Sequence, residues 1–333
     1  MNLPDNSDLR NTLKDRRGRL AAVVEESGGN DTLRHLLNEV DAALEKYAQG
    51  TYGLCETCHD PIERDRLMVN PLIRNCLDHL TAAEQRVLEQ DLDLAFEVQR
   101  NLLPRNGLVH GGWATAYHYE PAGPVSGDYC DLIVNGSPSD PLHFVIGDAT
   151  GKGVAASLMM THLHGIFRIL TRSPLPLQEM MNQANRLFCE ATLSLHFATV
   201  VSGKGDASGN LELANAGHCY PFIMRRNGIE RVQSHGVPLG LFCDSAYMTE
   251  RYALAPGETV FLFTDGVSEA RNAKGETYGE DRLAELLSRQ HSSSAQHIVD
   301  AVREELRSFL DGAPLSDDIT VVALQRSAPG AGA

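Results

Sequence analysis

Four aspartates stand in short turns beside apolar runs: Asp128 in Gly127-Asp128-Tyr129, Asp148 in Gly147-Asp148-Ala149, Asp265 in Thr264-Asp265-Gly266 and Asp317 in Asp317-Asp318-Ile319. A carboxylate fixed at a strand end, next to backbone that bends closely around it, suits a hard metal ion with oxygen ligands. A single Asp-Gly is usually a plain turn. Four acidic turns at strand ends are harder to dismiss, because carboxylates brought together repel and some then hold protons at neutral pH. Divalent cations remove that penalty, so the pattern makes sense only with metal bound.

A second set has softer chemistry. Cys55-Glu56-Thr57-Cys58 is followed downstream by Cys76-Leu77-Asp78-His79. Three thiolates and one imidazole in two knuckles complete a closed tetrahedral zinc site, the structural rather than the catalytic type. His59 competes as a ligand, but it directly follows Cys58 and cannot easily replace His79 in the second knuckle. The plain alternative is two unrelated thiol pairs. Cys130, Cys189, Cys219 and Cys243 scatter through the rest of the chain and do not read as a disulfide framework.

Other residues make weaker claims. Asp318 reads as a cap or hydrogen-bond acceptor, with an extra peripheral metal site as the alternative. Asp131, three residues after Asp128, reads as orienting the turn. His218 in Ala216-Gly217-His218 reads as structural, with a general acid as the alternative. Lys152 invites a nucleotide-loop reading, but Gly147-x-x-x-Gly151-Lys152-Gly153 has a short spacer and no Ser or Thr after the lysine.

The elements that must present these residues begin with two helical patterns. Leu9, Leu13, Leu20 and Val24 form one stripe; after Gly28-Gly29, Asn30 or Asp31 caps a second helix with the stripe Leu33, Leu37, Val40, Leu44 and Tyr47. An antiparallel hairpin is expected, each stripe being too narrow to stand alone in water. Residues 81–103 form a strong helix pattern ended by Pro104, with Leu88, Leu92, Ala95, Gln99 and Leu102 at coiled-coil spacing and Gln99 as the polar, register-setting position. That predicts a homodimer through this helix; the alternative is a helix packed on its own domain. Strands are expected over 114–120, 129–135, 142–147, 197–203, 211–216, 220–225, 259–264 and 319–324, and helices over 154–171, 175–191, 280–289 and 295–310. Gly209-Asn210 and Asn227-Gly228 are good hairpin turns.

These residues also carry two resemblances. Gly127-Asp128, Gly147-Asp148 with Gly151-Lys152-Gly153, Thr264-Asp265-Gly266 and Asp317-Asp318-Ile319-Thr320 resemble, in order and spacing, the metal-binding motifs of SpoIIE-like serine/threonine phosphatases, relatives of protein phosphatase 2C and of RsbU-type phosphatases. Ala214-Asn215-Ala216-Gly217-His218 and Pro238-Leu239-Gly240 agree as well. Gly50-Thr51-Tyr52-Gly53-Leu54-Cys55-Glu56-Thr57-Cys58, Pro61-Ile62, Arg66-Leu67, Asn70-Pro71 and Cys76 resemble the zinc finger of DksA/TraR-type proteins, with His79 where a fourth Cys is common. The tip from Ser27 to Asp31 lacks the paired acidic residues of a polymerase-acting hairpin, so only the zinc ligands are carried over.

The first resemblance implies an α+β fold, a layered β-sandwich flanked by helices, here preceded by the hairpin, the zinc finger and the linker helix. The expected division is 1–50 hairpin, 51–80 finger, 81–104 linker helix, 105–326 phosphatase domain and 327–333 disordered tail. It further implies that Asp148 bridges two Mn²⁺ or Mg²⁺ ions, with Asp265 and Asp317 on one, Asp128 near the other and the Ala149 carbonyl as a backbone ligand. A water shared by the ions attacks phosphorus in line, with no phosphoenzyme. The implied substrate is a phosphorylated regulatory protein, such as a STAS-type anti-sigma-factor antagonist. No arginine evidently matches the phosphate-binding residue of the eukaryotic relatives. The rival reading is a non-catalytic scaffold that binds the transcription machinery through the zinc hairpin; a scaffold has no need of four repelling carboxylates.

Composition agrees with this reading. Of 333 residues 42% are hydrophobic, enough for a sizeable core, and the formal net charge of −15 argues against a surface that binds nucleic acid non-specifically. No apolar run approaches the ~20 residues that cross a bilayer. The first residues, MNLPDNSDLRNTLKDRRGR, lack the apolar segment of a signal peptide, so a cytoplasmic protein is expected.

Overall fold

Two separate sets of apolar positions organise the chain into two units, Met1–Asp91 and Leu92–Ala333. The structure, a computed structural model, describes residues 7–27, 31–80, 82–137, 139–192, 196–233 and 236–327. Gly28, Gly29 and Asn30 of the expected hairpin tip and the expected disordered tail from residue 328 lie outside them.

In the first unit, α1 (Ser7–Ser27) and α2 (Asp31–Gln49) join a short helix, α3 (Arg64–Val69). The two expected stripes meet: Leu9 and Leu13 from α1 bury against Val40 and Ala43 from α2. Tyr52, Cys55, Ile62, Leu67 and Cys76 complete the same core. The hairpin and the finger, expected as separate segments, therefore share one hydrophobic interior. Tyr47 stacks on Tyr52 with ring centroids 3.8 Å apart, and the Tyr52 hydroxyl donates to the Pro71 carbonyl.

A fourth helix, α4 (Ala82–Leu102), spans the boundary between the units. Its expected seam is corrected at its C-terminal end. Gln99 is buried and bonds the backbone of Ser126, and Leu102 packs on the core of its own unit, so neither is left to set register with a partner chain. Leu88 of the expected seam stays exposed, and so do Val87, Leu94 and Val98, which lie outside it.

The second unit is built from strands β1 (Val109–His110), β2 (Trp113–Glu120), β3 (Asp128–Ile133), β4 (Leu142–Ala149), β5 (Ala198–Gly205), β6 (Asn210–Ala216), β7 (Phe222–Arg225), β8 (Gly228–Arg231), β9 (Glu250–Ala253), β10 (Thr259–Phe263) and β11 (Ile319–Arg326). Its helices are α5 (Val154–Leu170), α6 (Leu177–Ala191), α7 (Asp265–Ser268), α8 (Glu280–Ser288) and α9 (Ala295–Leu310). One sheet runs β1-β2-β11-β10-β7-β8 and the other β3-β4-β5-β6-β9, every pairing antiparallel. The short strands β1, β8 and β9 were not among those expected.

Period-two alternation sorts the side chains into layers. Cys130, Leu132, Phe144, Ile146, Val201 and Leu213 from one sheet meet Trp113, Ile223, Val260, Leu262, Val322 and Leu324 from the other. On the outer faces, Tyr129, Val145 and Val200 pack under α5 and α6, while Phe261, Phe263, Val321 and Ala323 pack under α8 and α9. The result is the α+β sandwich with flanking helices that the sequence implied. Trp113 is fully buried between the sheets and donates its indole N–H to the Asp206 carbonyl. One covalent link differs from expectation: Cys189 and Cys243 form a disulfide.

Candidate metal centres

The register of β3 against β4 makes the first centre. Asp128 lies directly opposite Asp148 in the ladder, and alternation from Cys130 and Ile146 puts both on the inner face of the sandwich. Asp148 is thus the penultimate residue of its strand rather than a residue beyond it. The other sheet contributes Asp265, the first residue of α7 just after β10, and Asp317, just before β11. All four expected aspartates converge at this end. Burial raises Asp148 to about 7, helped by the charges of Asp265, Asp317 and Asp318 and opposed by Lys152. Asp128, fully enclosed, is pushed well above the carboxylate range by burial and then by the charge of Asp148. Asp265 is raised by burial and by Asp317.

Hydroxyls from the opposite sheet hold Asp128. Thr264 and Thr320 both donate to Oδ2, the first at 2.9 Å. The turn at Asp265 depends on Gly266: a Cβ there would lie 1.9 Å from the Asp318 carbonyl oxygen. Asp317 pairs with Lys152 at 3.2 Å, and Lys152 also donates to the Ser316 carbonyl. The carbonyl of Ala149 lies beside Gly127, where a Cβ would approach it to 3.0 Å.

Asp318 has a different task from its neighbour. Its Oδ1 accepts from the Ala122 N–H at 2.7 Å and its Oδ2 from the Gly127 N–H at 2.9 Å, so both oxygens clamp the loop that leads into Asp128. From the other side Gln99 donates to the Ser126 carbonyl at 2.7 Å and accepts from the Ser126 N–H at 3.0 Å. The Ser126 hydroxyl then accepts from the Asp128 N–H. Sequence reading missed Gln99 as part of this assembly, because its partners are backbone atoms far away in the chain.

His218 is buried, with burial holding its imidazole down to about 4; its Nδ1 shares a hydrogen bond of 2.8 Å with the Thr199 hydroxyl. A neutral, enclosed ring fits the structural reading. Asp131 faces outward from β3, not toward the carboxylates. It takes two hydrogen bonds from Arg168 on α5, at 2.6 and 2.7 Å, and so ties that helix to the sheet.

The donor set suits hard divalent ions: carboxylate oxygens, a nearby carbonyl and strong mutual repulsion that cations would relieve. Among the described residues, the group with three or more ligand atoms all within 4.8 Å of one another is Cys55, Cys58, Cys76 and His79.

That second centre fits zinc. Cys58 Sγ lies 3.7 Å from Cys76 Sγ, and Cys76 Sγ lies 3.3 Å from His79 Nδ1. A tetrahedron with Zn–S arms of about 2.3 Å has edges of about 3.8 Å, close to the first of these. His59 has a left-handed backbone, φ 62°, and is outside this group. Burial raises the Cys55 thiol, but N–H groups of Cys58, Cys76 and Thr57 outweigh it and bring it down. Cys58 beside it is pushed up by burial and by the neighbouring Cys55, Cys76 and Asp60 side chains, so the clustered thiols share their protons until a cation takes their place.

Comparison with known proteins gives two family matches. Residues 138–327 match the family model of Stage II sporulation protein E (SpoIIE), and residues 50–78 match that of the prokaryotic dksA/traR C4-type zinc finger. The second match ends one position before His79. Protein IcfG of Synechocystis is 30% identical over 286 residues, which cover 77% of this chain and 45% of IcfG. The phosphoserine phosphatase RsbU of Bacillus subtilis is 25% identical over 249 residues, covering 73% of this chain and 72% of RsbU. The chain thus spans less than half the length of one of these relatives. The SiaA-PP2C domain of Pseudomonas aeruginosa shares the fold, with a TM-score of 0.63 at 21% identity over 74% of this chain and 99% of that one.

Proposed function

The chain belongs to the SpoIIE family, and on that premise we propose that it is a metal-dependent protein phosphatase acting on phosphoserine or phosphothreonine of a regulatory protein. The observation that carries this reading is the in-register pair Asp128 and Asp148, with Asp265 and Asp317 brought to it by the other sheet. Asp148 would be shared between two manganese or magnesium ions, Asp265 and Asp317 would hold one, and Asp128 and the Ala149 carbonyl would hold the other. When bound, the metals supply an acidified water and neutralise charge on the phosphoryl oxygens. The chain's own residues do the positioning. Thr264 and Thr320 occupy Oδ2 of Asp128 and leave Oδ1 for an ion or its water. Asp318, with both oxygens engaged, serves as a loop clamp rather than a peripheral ligand. The zinc ion has a structural role in the first unit.

The substrate class is supported by RsbU, a phosphoserine phosphatase that resembles most of this chain. A STAS-type anti-sigma-factor antagonist is the specific substrate we infer from the family resemblance. Among the described residues no helix is long and apolar enough to cross a membrane.

The test is hydrolysis of p-nitrophenyl phosphate by the pure protein with manganese. Asp148→Asn and Asp265→Asn should each lower kcat by about 100-fold or more, the scale of losing one charge partner of a transition state. Absence of hydrolysis by the wild type in excess manganese would favour the scaffold reading instead.

A further inference from the structure

Three side chains on one stripe of α6, at positions 182, 185 and 189, hold a single loop. Asn182 accepts from the Tyr247 N–H at 3.0 Å. Asn185, fully buried, donates to the carbonyls of Phe242 and Cys243 at 2.9 and 3.0 Å and accepts from the Gly240 N–H at 2.8 Å. Cys189 is the third point of attachment, through its disulfide to Cys243, with Cα atoms 5.8 Å apart. Spacings of three and four residues place the three attachments on one helix face.

The loop is not remote from the carboxylates. Leu239, immediately before it, exchanges both backbone hydrogen bonds with Ala198, and Ala198 is the ladder partner of Ala149. Its crest exposes Leu241 and Phe242.

The disulfide is also accessible, since Cys243 is exposed and Cys189 half-buried. Elsewhere the described chain keeps its thiols free: Cys55, Cys58 and Cys76 form the zinc set, and Cys130 and Cys219 are unpaired. A chain that needs three thiolates for a metal works where thiols persist, and there an exposed disulfide is open to reduction. Asn182 and Asn185 hold the same loop by hydrogen bonds separate from the covalent link.

We propose that Cys189 and Cys243 are a reversible thiol–disulfide exchange site, taking a low-molecular-weight disulfide as oxidant and a low-molecular-weight thiol as reductant, and that its oxidised form locks the 240–247 loop onto α6. In oxidation the Cys243 thiolate attacks one sulfur of the small disulfide, whose other sulfur leaves as a thiolate and takes a proton. Cys189, deprotonated, then displaces the second small thiol from the mixed disulfide. Two electrons leave the cysteine pair and two small thiols are formed. Reduction runs the same steps backwards.

The test incubates the full-length zinc-loaded protein in glutathione buffers of graded ratio and counts free thiols by alkylation and mass spectrometry. A reversible loss of two alkylated positions, mapped to Cys189 and Cys243, is expected, with none in Cys243→Ser. Limited proteolysis should cut near Phe242 faster in the reduced form and in Cys243→Ser than in the oxidised form. Hydrolysis of p-nitrophenyl phosphate by the two forms then reads whether the lock reaches the catalytic end, separately from whether it exists. A pair that stays reduced in excess oxidised glutathione, or that stays oxidised in excess thiol while the protein remains folded, would overturn the proposal. Equal cleavage of the loop in both forms would overturn the lock.

Discussion

Burial holds the His143 imidazole down to about 4, with the charge of Lys204 adding to the effect. In the unfolded chain the same ring titrates near 6.5. Above that value both states are neutral and the group is silent. As pH falls from 6.5 toward 4 the unfolded chain takes a proton that the folded chain refuses, so stability is lost in that window, by about 2 kcal/mol at pH 5. Urea unfolding of wild type and His143→Leu at pH 7.5 and pH 5 should show the wild type losing more by that margin. Equal losses would remove His143 from the account. The strand around this residue was legible from Leu142, Phe144, Val145 and Ile146, whereas the burial of a histidine among them was not. The four aspartates that the fold brings together were legible because each adjoins an apolar run in the sequence. Asp318 as a clamp was half-legible, as a hydrogen-bonding residue whose partners, Ala122 and Gly127, only the fold identifies.

Helix α4 shows what periodicity reads well and badly. The helix itself was expected within a residue or so of its observed ends, but its stripe was assigned to a partner chain. Spacing identifies a covered face and says nothing of what covers it; here Gln99 meets a backbone peptide two residues before Asp128. Gln99→Ala would strand two backbone groups that are worth about 1–3 kcal/mol when unsatisfied and buried. Because the affected turn carries Asp128, the manganese concentration for half-maximal hydrolysis should rise about 10-fold, as when other supports of a metal ligand are removed. Leu88→Ala on the same helix should leave it unchanged. A wild-type manganese requirement in Gln99→Ala would mean the clamp is incidental. The disulfide and the short strand β9 share the same opacity: each is fixed by a partner distant in the chain, Cys189 for Cys243 and β6 for β9, and not by a local pattern.

At the scale of the molecule, the two units have interiors with no residue in common. The first is small and includes two members of its candidate zinc centre, Cys55 and Cys76, among its buried residues. For so small a core, metal binding is folding free energy. Elemental analysis should give zinc near one per chain, lowered in Cys55→Ser. Chelation at moderate temperature should remove the circular-dichroism signal of α1 and α2 while manganese-supported hydrolysis by the larger unit persists. Full helicity after zinc has been stripped would show that the hairpin stands without the ion. The interior that finger and hairpin share was not legible in the sequence, because it joins residues as distant as Leu9 and Cys76.

Trp113 is the chain's one tryptophan, and it is sealed between the two sheets of the larger unit. Nature has therefore fitted this molecule with a single optical gauge. Light emitted by that indole reddens when water enters the sandwich, and it is a local witness to that interior, so unfolding of the smaller unit can be watched by other means against a steady blue background.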